Sequence, residues 1–222
     1  MTRRKFVPAI VPELDDATAA LVRLSGTIAG GTEAELRKAI AHCVAVSDPE
    51  WTEEVLLQSY LFAGFPRALN AMREWRKASG RRAPEHDVGA EAERRAGQWR
   101  AEGEETCSHV YGEMYDKLRV NIAELHPALD SWMVVEGYGK VLSRPGLDIV
   151  RRELCIVAVC AVAKQDRQLQ SHLHGALNVG ATQGQIAGAL AALDGLVDTD
   201  YLSRALAMFT KVLGKQGDQE RV

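Results

Sequence analysis

What this 222-residue chain lacks narrows its function first. Its four cysteines, Cys43, Cys107, Cys155 and Cys160, form no C-x-x-C pair and fall at no zinc-ligand spacing. Neither a metal nor a cofactor is therefore expected. Cys155 and Cys160 would point about 140° apart around one helix, so they cannot bridge each other. All four read as reduced, small apolar residues. Cys107 as a lone redox thiol would need a partner thiol and a lowered pKa. No apolar run is long enough for a membrane span, and the N-terminal stretch MTRRKFVPAIVPEL carries basic residues without the apolar core of a signal peptide. These absences lead to an expectation of a cytoplasmic protein. Charge of one sign is missing too, with 27 Lys and Arg against 30 Asp and Glu for a formal net charge of −3. Such a balance provides no electrostatic footprint for nucleic acid or an anionic membrane surface.

What is present is an ordinary globular composition, 46% hydrophobic and 26% charged, enough for one substantial core or two small ones. Polar residues recur at chemically useful spacings in one place, Arg151 to Thr182. Leu147 to Ala163 is apolar on nearly all sides and predicts a buried helix, with Glu153 inside it. A carboxylate there costs several kcal/mol unless it is paired. A second helix is predicted from Asp166, as N-cap, to about Val179, with Gly180 ending it and Thr182 capping the next. Gln165, Gln168 and His172 share one face of that helix, beside a core face of Leu169, Leu173, Ala176 and Leu177.

The flanking chain reads as short helices joined by tight turns. A first helix covers Leu14 to Ile28, and Thr32 with Glu35 forms a capping box for the second. Asp48-Pro49 opens a third that ends at Gly64, and Phe65-Pro66 a fourth running through Trp75. The same order returns after residue 147, with sequence echoes at Arg67–Met72 and Arg204–Met208, which predicts an internal repeat. The expected division is residues 1–78 as a degenerate first repeat, 79–125 as a charged connector plus helix, and 126–222 as the second repeat carrying any site. Within the connector, Ser79 to Glu105 reads as exposed, part helix and part loop, because of its glycines and charges. From Thr106, Val110, Met114, Leu118, Ile122 and Leu125 predict one helix, and Leu129 to Leu142 another short one.

The strings RPGLDIVRREL and QLQSHLHGALNVGAT resemble the carboxymuconolactone decarboxylase and AhpD-like alkylhydroperoxidase superfamily. The resemblance is close over residues 126–186 and weaker over 48–72. It implies an all-α, AhpD-like helical fold with two tandem repeats, and a homo-oligomer, a trimer first and a dimer as the alternative. In the peroxidase branch a helix glutamate and a later histidine relay protons to a C-x-x-C pair. Glu153 and His172 match that glutamate and histidine in spacing, while Gln165 and Gln168 stand where the cysteines would be. Thiol peroxidase activity by that route is therefore not expected.

Two function classes follow. In one, Glu153 and His172 form a hydrogen-bonded catalytic pair that moves a proton on a small carboxylated or lactone substrate, as a carboxy-lyase would. Gln168, Arg144, Trp132 and Tyr138 are then the candidate substrate-binding residues, with the segment from Trp132 to Arg144 as a wall. In the other, the chain is a family member that has lost the dithiol and is divergent or non-catalytic. Bland readings stand beside these: Glu153 balancing Arg144, Arg151 or Arg152, and His172 as a satisfied interior histidine. His174 lies 200° around the helix from His172 and is assigned no ligand role.

Overall fold

A computed structural model describes residues 10–87, 89 and 91–219. Residues 1–9, most of the basic N-terminal stretch, and 220–222 lie outside them. The described residues are all-α, with no strand and a single isolated bridge between Asp194 and Val197.

Four helices fill the first half: α1 (Asp16–Gly30), α2 (Glu33–Val46), α3 (Pro49–Gln58) and α4 (Tyr60–Ser79). The expected caps at Thr32 and Asp48 are in place, and the first helix starts from a cap at Asp15 instead of at Leu14. Asp15 accepts from the Thr18 N–H, Thr32 and Glu35 form the full capping box, and Asp48 accepts from the Glu50 N–H. Gly64 breaks α4 with φ +78°, a left-handed conformation that side chains resist, and Pro66 restarts it. The second half holds α8 (Ile149–Val162), α9 (Asp166–Asn178), α10 (Gln183–Ala191) and α11 (Thr199–Gln219). Gln165 rather than Asp166 is the N-cap residue of α9, and it makes no side-chain cap; Asp166 accepts instead from the Tyr201 hydroxyl at 2.7 Å.

The connector differs most from expectation. Ala92–Tyr111 is one continuous helix, α5, whose Trp99, Cys107 and Val110 are buried. Gly112, at φ +53°, ends it in a 3-10 turn before α6 (Tyr115–Leu125) and α7 (Pro127–Trp132), so the single helix expected from Thr106 is two. Met133–Leu142 is then a ten-residue π-helix rather than an α-helix. Gly103, read as a loop signal, and Gly139, inside the helix expected over Leu129 to Leu142, are packing devices. A Cβ on Gly103 would overlap the Val134 carbonyl, and one on Gly139 the Trp99 carbonyl, so α5 and the π-helix meet backbone to backbone.

α8 is the hub. Every residue from Arg152 to Ala161 is buried, and the helix packs on α1, α4, α9 and α10. Leu154, Ile156 and their neighbours each contribute about 1.5–3 kcal/mol by leaving water. One hydrophobic core runs continuously through both halves of the chain.

Candidate functional site

Glu153 enters this core one turn into α8, behind the N-cap Asp148, and is fully buried. His172 sits near the middle of α9 with 6% of its surface exposed. Their side chains meet: Glu153 Oε2 lies 2.9 Å from His172 Nδ1. A carboxylate can only accept, so Nδ1 is the donor in this contact and Nε2 is left outside it. The contact forms although Glu153 is nine residues before the end of α8 and His172 six into α9, about 14 and 9 Å along their axes, which requires offset or inclined helices. Gly175, one turn after His172, makes room: a Cβ there would come 2.8 Å from both Glu153 Oε2 and Val110 Cγ1.

Among the described residues no arginine pairs with Glu153. Arg151 is taken by Asp148, Asp15 and Thr18, and lies over the Trp51 ring. Arg152, fully buried, binds Glu54 at 2.8 Å, with Gln58 and the carbonyls of Leu147 and Arg144 accepting three more of its N–H groups. Arg144 forks onto Glu54 and Asp87 at 2.9–3.2 Å. This Arg152–Glu54–Arg144–Asp87 chain is a charge-balanced clamp joining α3, α8 and the connector. The other Glu153 oxygen, Oε1, is buried without a hydrogen-bond partner among the described residues. An orphaned buried carboxylate oxygen costs about 1–3 kcal/mol or more, so a group that supplies a donor there gains what the fold leaves unmet.

Aromatic rings surround the pair. Phe62 stands edge-on to the His172 ring at 6.3 Å, Tyr111 is tilted to it at 6.4 Å, and Tyr138 meets Tyr111 edge-on at 6.0 Å. Burial pushes both phenols well above the ordinary tyrosine range, reinforced by the Glu153 charge, so they remain O–H donors at neutral pH. Burial likewise pushes the Cys107 and Cys160 thiols up to about 12, again with Glu153 adding to the effect. A thiolate centre is the opposite of what this environment favours.

Of the residues singled out from sequence, the structure brings Glu153, His172 and, through Tyr111, Tyr138 together. Gln165 and Gln168 are exposed. Trp132, at the end of α7, is 62% exposed. Arg144 borders two surface clefts of about 490 and 560 Å³, neither lined by Glu153 or His172, and each of its three guanidinium nitrogens already donates to Glu54 or Asp87. It holds the connector rather than offering a free anchor for a substrate carboxylate. Sequence reasoning missed Phe62, Tyr111 and Gly175 as part of this site. A glycine inside an amphipathic helix, next to the histidine, was the available signal.

Residues 131–211, which include Tyr138, Glu153 and His172, match the carboxymuconolactone decarboxylase family. Over 138 residues the chain is 29% identical to Peroxisomal protein 2 of Schizosaccharomyces pombe (strain 972), an alignment covering 61% of this chain and 63% of that protein. The chain thus spans a little under two thirds of that relative's length. Phe62, Cys107 and Tyr111 lie outside the family-matched segment, so the surroundings of the pair come from both halves of the chain. The glutamate and histidine helices both lie inside the match, so residues 131–211 of this all-α chain carry its similarity to the carboxymuconolactone decarboxylase family.

Proposed function

We propose that Glu153 and His172 act as a proton-transfer dyad on a small, largely apolar substrate bearing a carboxylate or lactone. The observation that carries this reading is the 2.9 Å contact between a fully buried carboxylate and an imidazole whose second nitrogen remains for chemistry. Glu153 holds the ring in one orientation and stabilises the imidazolium formed when Nε2 takes a proton. In a decarboxylation the bond to the carboxylate carbon breaks, and its electron pair delocalises into the lactone carbonyl. Carbon dioxide leaves, and the imidazolium proton goes to the carbon. The Tyr111 hydroxyl, which accepts from the Tyr138 hydroxyl, is the donor for the developing oxyanion. Gln168, one turn before His172 and exposed, marks the side from which a substrate would enter.

The test is carbon dioxide release from a carboxylated γ-lactone, compared between the intact protein and Glu153→Gln and His172→Ala. Each substitution should lower the rate at least ~100-fold, and the double variant should be little worse than either single one. Wild-type rates in either single variant would overturn the dyad.

A second reading, a family member without chemistry, draws support from the seclusion of the pair and from the raised thiols. Absence of turnover on every lactone and hydroperoxide tried would favour it. The four buried free cysteines support a reducing compartment such as the cytoplasm.

A further inference from the structure

Helices α1–α4 and α8–α11 follow the same order of lengths, 15, 14, 10 and 20 residues against 14, 13, 9 and 21. α1 and α8 both start from an aspartate N-cap that accepts the backbone N–H three residues on, Asp15 from Thr18 and Asp148 from Arg151. With these caps superposed, Glu153 falls on Ala20, five residues past the cap in each case. His172, the seventh residue of α9, likewise falls on Ala39, the seventh of α2. Ala20 and Ala39 are buried, and both line a single cleft of about 330 Å³ between α1 and α2. Where the second half places a carboxylate against an imidazole, the first half keeps an opening.

The chemistry of that opening is specific. Ala19, Ala20 and Ala39 form an apolar floor, and Ala192 closes one side. Arg23, Lys38 and His42 stand at the rim with a single acid, Glu35. Glu35 is turned back into its capping box, accepting from the Thr32 N–H and hydroxyl at 2.7 Å each. Arg23 is fixed by Nη1, which donates to the carbonyls of Ala192 at 2.9 Å and Asp194 at 2.5 Å, so only one of its nitrogens is committed. The rim therefore carries an excess of positive charge on a preorganised guanidinium and an exposed lysine. The volume is at the small end of the range for small-molecule sites.

We propose that the α1–α2 cleft is a ligand site, the counterpart of the Glu153–His172 site without its acid–base pair, and that it takes small monocarboxylates with a compact apolar body. The carboxylate is held by Arg23 and Lys38 and the apolar body lies on the alanine floor. The site is non-catalytic, since nothing at Ala20 or Ala39 can carry a proton, and it stands whether or not the dyad is active.

Calorimetric titration of the intact protein with benzoate, and with benzamide as the uncharged isostere, tests the proposal. Benzoate should bind saturably at one site per chain, and benzamide at least ~10-fold more weakly, the scale of one charge-assisted hydrogen bond. Ala39→Leu, which fills the floor, should abolish benzoate binding. Lys38→Gln, on an exposed side chain whose replacement leaves the core untouched, should weaken it ~10-fold. His172→Ala should leave it unchanged. The proposal is overturned by no saturable benzoate binding, by equal binding of benzamide, or by loss of binding in His172→Ala with retention in Lys38→Gln, which would place benzoate in the other site.

Discussion

Among the single residues, Cys107 shows how environment decides chemistry. It is fully buried and close enough to Glu153 for that charge to help push its thiol up to about 12. At pH 7 about one molecule in 10⁵ would then carry the thiolate, the nucleophile a peroxidatic cysteine needs. Dithiol-dependent turnover of organic hydroperoxides is accordingly expected to be absent, and Cys107→Ser should change neither that assay nor any lactone activity. Turnover abolished by the substitution would revive a one-cysteine mechanism. The same raised thiols set a stability trend. A cysteine that titrates near 9 unfolded and near 12 folded keeps its proton longer in the native state, so its contribution is fully present below about pH 9. That contribution is lost as pH rises toward 12, by up to ~1.4 kcal/mol per pH unit for each such cysteine. Melting temperature should fall between pH 9 and 10.5, and the fall should flatten when Cys43, Cys107 and Cys160 are replaced by alanine.

At the scale of elements, the contact between α5 and the π-helix is the feature most sensitive to small changes. Gly139→Ala would drive a methyl group into the Trp99 carbonyl, and because both partners are backbone neither can step aside. A loss of about 3 kcal/mol or more is expected, read as a lower urea midpoint at unchanged slope. Gly97→Ala, in the same helix α5 with nothing within 4 Å of the added carbon, serves as the control. It should leave the midpoint unchanged or raise it by up to ~1 kcal/mol, since alanine loses less entropy than glycine in a helix. Glycines of similar sequence context thus have opposite consequences, and only the packing partner distinguishes them.

For the whole molecule, α6 and α7 present Val120, Leu125, Leu129 and Trp132 to solvent, Leu125 with 77% of its surface exposed. The Arg119–Asp130 ion pair holds these two helices together. A surface of this kind is expected to be covered by a second copy of the chain. Sedimentation at micromolar concentration should show an oligomer, a trimer by the expectation above. Trp132→Glu with Leu125→Glu should yield a monomer with an unchanged far-ultraviolet spectrum. A monomeric wild type would remove the oligomer.

The helical class, the caps at Thr32, Asp48 and Thr182, and the burial of α8 were all determined by sequence alone, because they depend on residues three or four positions apart. The spacing of Glu153 and His172 was legible in the same way, as one polar residue on each of two adjacent helices. Local patterns could not decide what those residues touch. The arginines nearest Glu153 in sequence, Arg151 and Arg152, pair with other acids, and the imidazole nineteen residues away reaches it instead. Nor could they show that Gly103, read as part of a loop-rich connector, and Gly139, inside a predicted helix, mark a backbone contact. Phe62 and Tyr111 frame the pair from 110 and 61 residues before His172, and Arg144 is held in place by Glu54, 90 residues before it. Such long-range partnerships depend on how helices stack around α8, a property of the packed core that no window of sequence contains.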